Sequence, residues 1–107
     1  MIVEVKAKEA RAAAQKAKEA YEKAVTRRAE TQRELTNLLN RKTSWTPDDL
    51  ARFTTLYPSD HENEAQVRQA AAGLAACERE SENASTELGR LILTRYFFWQ
   101  GRLKQVP

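Results

Sequence analysis

Residues 3–38 read VEVKAKEARAAAQKAKEAYEKAVTRRAETQRELTNL. Apolar or small side chains fall at Val3, Ala7, Ala10, Ala14, Ala17, Tyr21 and Ala24, and the register passes through Arg28 and Thr31 before returning to Leu35 and Leu38. The steps alternate between four and three. Sustained over more than five repeats, that spacing is the seam of a coiled coil. No Gly or Pro interrupts residues 1–42, and strong helix formers dominate, so the spacing predicts a helix over 1–42. Glu4 with Lys8 and Glu19 with Lys23 stand four apart in the favourable orientation on its other faces.

Working outward, the run ends at Thr43-Ser44-Trp45-Thr46-Pro47-Asp48-Asp49. Thr46 suits an N-cap, Pro47 the first helical position, and Asp49 the carboxylate that reaches back to the cap. The corner is therefore read as residues 43–58, with a short helix from Pro47 carrying Leu50, Phe53, Leu56 and Tyr57. Pro58 disfavours helix at the residue before it and is expected to close that helix. Ser59 is then expected to cap a helix over 60–100, with Glu62 in the capping-box position and Asp60 near the positive end of the dipole. Its seam reads Val67, Ala70, Leu74, Cys77, Ser81, Ala84, Leu88, Leu91, Arg95 and Phe98. Gly73, among Ala70, Ala71, Ala72, Ala75 and Ala76, is read as a close-packing stretch. Gly101 is expected to end the helix and leave a basic tail over 101–107.

Charge supports two helices lying side by side. Residues 1–42 hold eleven Lys and Arg against six Glu, a net of +5, whereas residues 60–89 carry −5. The expected fold is all-α: one coiled-coil domain over 1–107, a long antiparallel helical hairpin with a short helix at its corner. Alanine supplies 17 residues, as many as Leu, Ile and Val together, so one hairpin buries little apolar area for a chain of 107. Val25, Leu39, Ile92 and Leu93 lie off the seam, and a second chain is the expected cover, in a homodimer or larger bundle. The oligomer seam is read as Ala7, Ala10, Ala14, Ala17, Tyr21, Ala24, Leu35, Leu38, Val67, Ala70, Leu74, Cys77, Ala84, Leu88 and Leu91. A closed hairpin and a swapped, open one use the same heptads.

Little in the chain points to catalysis. One cysteine, Cys77, excludes an internal disulfide and any Cys-based zinc site. His61 with Glu62 and Glu64 makes a poor cage for a metal and reads as a helix start rich in acids. Cys77 among alanines reads as a small buried hydrophobe. Phosphate-loop, dinucleotide, nucleophile-elbow and zinc spacings are absent, so neither enzyme activity nor a cofactor is expected. Arg28 is expected opposite Glu78, Glu80 or Glu82 as a register-fixing layer, or else turned outward. The basic run of Arg27, Arg28, Arg33, Arg41 and Lys42 has no groove-reading context, and no nucleic-acid partner is expected. Leu91–Trp99, interrupted by Arg95, is too short to span a bilayer, and no signal peptide precedes the first helix, so the chain as it stands is expected to be soluble. Tyr96-Phe97-Phe98-Trp99, beside Arg95, Arg102 and Lys104, suits a membrane interface. Packing against Trp45, Phe53 and Tyr57 of another chain's corner is the favoured reading.

The stretch RELTNLLNRKTSWTPDDLARFTTLY at residues 33–57, followed by Asp60-His61-Glu62-Asn63-Glu64, resembles one family closely. It is the fungal sensitive-to-high-expression protein nine family, also called mitochondrial distribution and morphology protein 33. The resemblance covers residues 15–96, with the Ala-rich flanks less specific than the Lys-x-Ser-Trp-x-Pro core. It implies a mitochondrial inner-membrane protein with matrix-facing coiled coils, which self-associates and serves inner-membrane organisation and fission. Membrane spans would lie in segments absent from this chain, and other inner-membrane proteins become possible partners. It also places Trp45, Pro47, Phe53, Tyr57 and His61 together at the corner as a contact surface. After Arg95-Tyr96 the family pattern continues with acidic and polar residues, whereas this chain continues Phe97-Phe98-Trp99.

Overall fold

A computed structural model describes residues 2–104, with side-chain surroundings for residues 2–102. It contains helix α1 (Ile2–Asn40), a short 3-10 turn (Lys42–Ser44) and helix α2 (Pro47–Lys104). Among the described residues there is no strand. This is the all-helical hairpin expected from the heptads. Contacts divide it into two compact units, residues 17–74 and residues 1–16 with 75–107.

The first of these units contains the corner. Arg41 N–H reaches the Leu38 carbonyl at 3.1 Å and Ser44 N–H reaches the Arg41 carbonyl at 2.9 Å, closing α1 in a tightened turn. Trp45 Nε1 donates to the same Leu38 carbonyl at 2.6 Å, so that oxygen at the helix end accepts from both Arg41 and Trp45. Leu35, Leu38 and Leu56 form the buried cluster, with Trp45 and Phe53 packed on it. The capping box is present as expected: Asp49 N–H donates to Thr46 Oγ1 at 3.2 Å, and Thr46 N–H donates to Asp49 Oδ2 at 3.0 Å.

The helix that starts there does not stop at Pro58. The structure replaces the expected short helix ending at Pro58 and the separate helix over 60–100 with one helix, Pro47–Lys104, in which Pro58 is an interior residue. Ser59 is no cap: its Oγ donates back to the Leu56 carbonyl at 2.7 Å, and Asp60 and Glu62 lie mid-helix. An interior proline costs about 3 kcal/mol, through a lost hydrogen bond and a ring clash. Burial on both sides opposes that cost. Leu56 and Asn63 are both buried, seven residues apart on the one face that the continuous helix presents to α1.

In the second unit, Val3, Ala7, Ala10 and Ala14 of α1 are covered, as are Cys77, Ser81, Ala84, Leu88 and Leu91 of α2. Ala7 is its one fully buried hydrophobic residue among those described. Val3, Ala10, Cys77 and Ala84 line a shared shallow groove, so the two helix segments face each other through small side chains. Arg95 and Phe98, assigned to the seam by spacing, are exposed. Two glycine expectations change too. A Cβ at Gly73 or Gly89 would meet nothing within 4 Å, so Gly73 marks no close approach within the chain. It falls between seam positions 70 and 74, on the outward side. Gly101 lies inside α2 without positive φ, so it does not end the helix. Residues 105–107 of the expected tail lie outside the described residues.

Candidate functional site

Two features of the corner unit present chemistry: a ladder of rings and a polar interval in the seam. Phe53, Tyr57 and His61 stand four residues apart and therefore share one face of α2. Trp45 contributes from the connection. Ring centroids lie 5.1 Å apart for Trp45–Phe53, 5.5 Å for Phe53–Tyr57 and 6.4 Å for Tyr57–His61. The first two are tilted and stacked, and His61 meets Tyr57 edge-on, all within ranges favoured for aromatic pairs. The structure thus brings together four of the five residues expected as a corner contact. Pro47, the fifth, begins α2 beside them. Phe53 is half-buried, while Tyr57 and the neighbouring Leu50 are 58% and 55% exposed. The ladder has an anchored end and an open end.

Ion pairs hold its flanks. Arg52 donates to both Glu34 oxygens, Nε at 2.7 Å and Nη2 at 3.0 Å, the two-pronged geometry that fixes a guanidinium. The hydrogen bond from Arg52 holds the Glu34 carboxyl below the usual carboxylate range. Asp49 is lowered as well, chiefly by the backbone N–H of Thr46 and then by the charge of Arg41. Arg41 reaches Asp49 at 3.4 Å. Glu64 pairs with Arg68 at 3.0 Å. No group of three or more His, Cys, Asp or Glu able to hold a metal ion occurs among the described residues.

The polar interval lies next along the seam. Asn63, buried, donates from Nδ2 to Thr31 Oγ1 at 3.1 Å, and exposed Arg27 donates to Gln66 at 3.2 Å. These pairs place residues 63–66 of α2 beside 27–31 of α1. Arg28 therefore faces that stretch, and Glu78, Glu80 and Glu82 belong to the other unit. Its expected pairing with them is corrected, and so is an outward orientation, because Arg28 is half-buried with its Nε enclosed and unpartnered. Asp60 Oδ1 is likewise enclosed without a partner. Among the described residues, Asn63–Thr31 is the part-buried hydrogen bond between the two helices, and the exposed Arg27–Gln66 and Arg52–Glu34 pairs flank it. One polar pair of this kind penalises shifted registers, in which either group would be buried alone.

Sequence reasoning missed Asp60 and Asn63 as seam residues, although the signal was present. Stepping back from Val67 by the same fours and threes gives Asn63, Asp60, Leu56, Phe53 and Asp49. All five are buried or half-buried. The residues expected as an oligomer seam, from Ala7 to Leu38 and from Val67 to Leu91, are all at least half-covered within one chain.

These features define a class: a helical hairpin closed by an aromatic corner and keyed by one polar pair. Comparison with known proteins places it further. The She9/Mdm33 family matches residues 1–105, and the chain belongs to that family. It is 48% identical over 89 residues to a Sclerotinia sclerotiorum protein named sensitive to high expression protein 9 homolog, mitochondrial, covering 80% of this chain and 17% of the relative. The Yarrowia lipolytica protein of that name is 43% identical over 100 residues, covering 91% and 17%. The Debaryomyces hansenii protein is 38% identical over 106 residues, covering 96% and 23%. The chain thus spans about a fifth of the length of the curated relatives it matches. These relatives are named as mitochondrial. No solved structure matches the chain.

Proposed function

We propose that this chain is a self-associating coiled-coil domain of a mitochondrial inner-membrane protein, facing the matrix, that helps organise and divide the inner membrane. Its action is mechanical rather than enzymatic: copies associate, and assemblies anchored by segments outside this chain draw membranes together. The observation that carries the reading is what remains uncovered once the seam is closed. Ile2, Val5, Val25 and Leu39 stay 39–72% exposed, on faces that the chain's own second helix does not cover. Family membership supports the mitochondrial setting. Light-scattering mass of the purified chain across a concentration series, at low and high salt, tests it. The expected result is a dimer or larger assembly that survives salt. A monomer at every concentration would remove the mechanical reading.

A second reading is favoured by the exposed end of the ring ladder. Leu50 and Tyr57 offer apolar surface held on an ordered base, as an adaptor binding another inner-membrane protein would need. Under it, Tyr57→Ala abolishes partner capture and leaves the oligomeric state unchanged. A Tyr57→Ala chain that keeps its partner sinks the adaptor.

A further inference from the structure

The stretch of α2 beyond Leu91 differs from the rest of the helix. Ile92, Leu93, Tyr96, Phe97 and Trp99 are 53–65% exposed. At about 100° per residue these five occupy an arc of roughly 160°, on the side opposite the seam position Leu91. That is wider than the narrow stripe of a coiled-coil seam. Tyr96 and Phe97 meet edge to face, with centroids 5.7 Å apart, and the Tyr96 hydroxyl accepts a 3.1 Å hydrogen bond from Gln100. Arg90, Arg95 and Arg102 border the arc, all exposed. From residue 88 to residue 107 the sequence holds these three arginines and Lys104, and no Asp or Glu.

We propose that this segment, residues 90–102, docks on an anionic lipid surface, lying in the interface without crossing it. The partner follows from charge and ring chemistry together. A wide apolar arc containing Trp and Tyr suits the headgroup boundary, where one part of each ring is dry and the other wet. Cations at the rim keep their charge among anionic headgroups while their stems lie along the apolar face. The lack of acids removes the repulsion such a surface would impose. No helix among the described residues is long and apolar enough to cross a membrane. The inference goes beyond the self-association reading, because it gives this chain a lipid contact of its own.

Flotation of the whole chain with phosphatidylcholine vesicles, with and without about a third phosphatidylglycerol, tests it. The chain is expected to float with the anionic vesicles and to stay behind with the neutral ones. Arg95→Gln and Arg102→Gln should each weaken partition roughly fivefold. Trp99→Ser and Phe97→Ser should each weaken it on the order of tenfold, with helicity unchanged because both positions are exposed. Brominated lipid should quench part of the emission of the unaltered chain and none in the Trp99→Phe variant, a readout that does not depend on a disruptive substitution. Failure to float with anionic vesicles, or flotation that ignores all four substitutions, overturns the proposal. So does an oligomer whose mass falls on Trp99→Ser, since a second copy would then own this face.

Discussion

The two compact units use one heptad rule and fill it differently. Around the corner, large side chains occupy the seam: Leu35, Leu38 and Leu56 are buried, Trp45 and Phe53 pack on them, and Asn63 bonds Thr31 across the polar interval. In the other unit, α1 contributes chiefly alanine, and Ala7 is its one fully buried hydrophobic residue among those described. Spacing sets where two helices touch, while side-chain size sets how strongly. Stability should therefore concentrate at the corner, and the alanine-lined unit should be the part that opens.

The largest expected effect breaks the strong side. Leu38→Ala should cost about 2–5 kcal/mol in urea unfolding, because Leu38 is 4% exposed and its neighbours cannot all collapse into the space. Leu88→Ala, at a half-buried position of the other unit, should cost about 1 kcal/mol. Equal costs would erase the contrast.

Pro58→Ala comes next and probes the continuity of α2. Restoring the missing N–H should stabilise the chain by up to about 3 kcal/mol while circular dichroism shows little gain in helicity, since the helix already runs through. A rise equivalent to a full turn or more would mean that Pro58 breaks the helix in solution. Smaller still are Gly73→Ala and Gly89→Ala, one in each unit. Both positions are open, so each should raise the melting point by the equivalent of about 0.5–1 kcal/mol. Destabilisation at either would reveal a close approach that the structure does not contain.

The weakest effect sharpens the comparison by pH. Glu34 and Asp49, both in the corner unit, have carboxyl groups held below their ordinary range. Their stabilising contribution is complete above the ordinary range and is lost as pH falls through the depressed folded values. Both are surface pairs, so the loss is modest. Thermal melts between neutral and strongly acidic pH should show it, and Glu34→Gln with Asp49→Asn should flatten that part of the profile. An unchanged profile would remove these pairs from the account.

Much of this was legible in the residues. The seam of α1 follows its fours and threes from Val3 to Leu38 without an exposed member, and Thr46, Pro47 and Asp49 announce the start of α2. Pro58 misled because proline is a strong local signal, and the opposing one is tertiary. The seam keeps phase from Asp49 to Leu91, which favours a single helix only once α1 lies alongside. The partner of Arg28 could not be read either. Charge totals put it against the acidic stretch, whereas the register, set by the corner, faces it with residues 63–66. At the ring ladder, composition gave the members, but which rings are covered depends on Trp45 turning back to the Leu38 carbonyl.

The most direct test of the uneven hairpin is hydrogen exchange of the free chain, followed segment by segment by mass spectrometry. The slowest amides should lie in residues 24–38 and 53–67, with residues 2–16 and 84–102 exchanging well before them. Uniform protection along both helices, or slower exchange in the alanine-lined unit, would contradict the claim that the corner holds the fold.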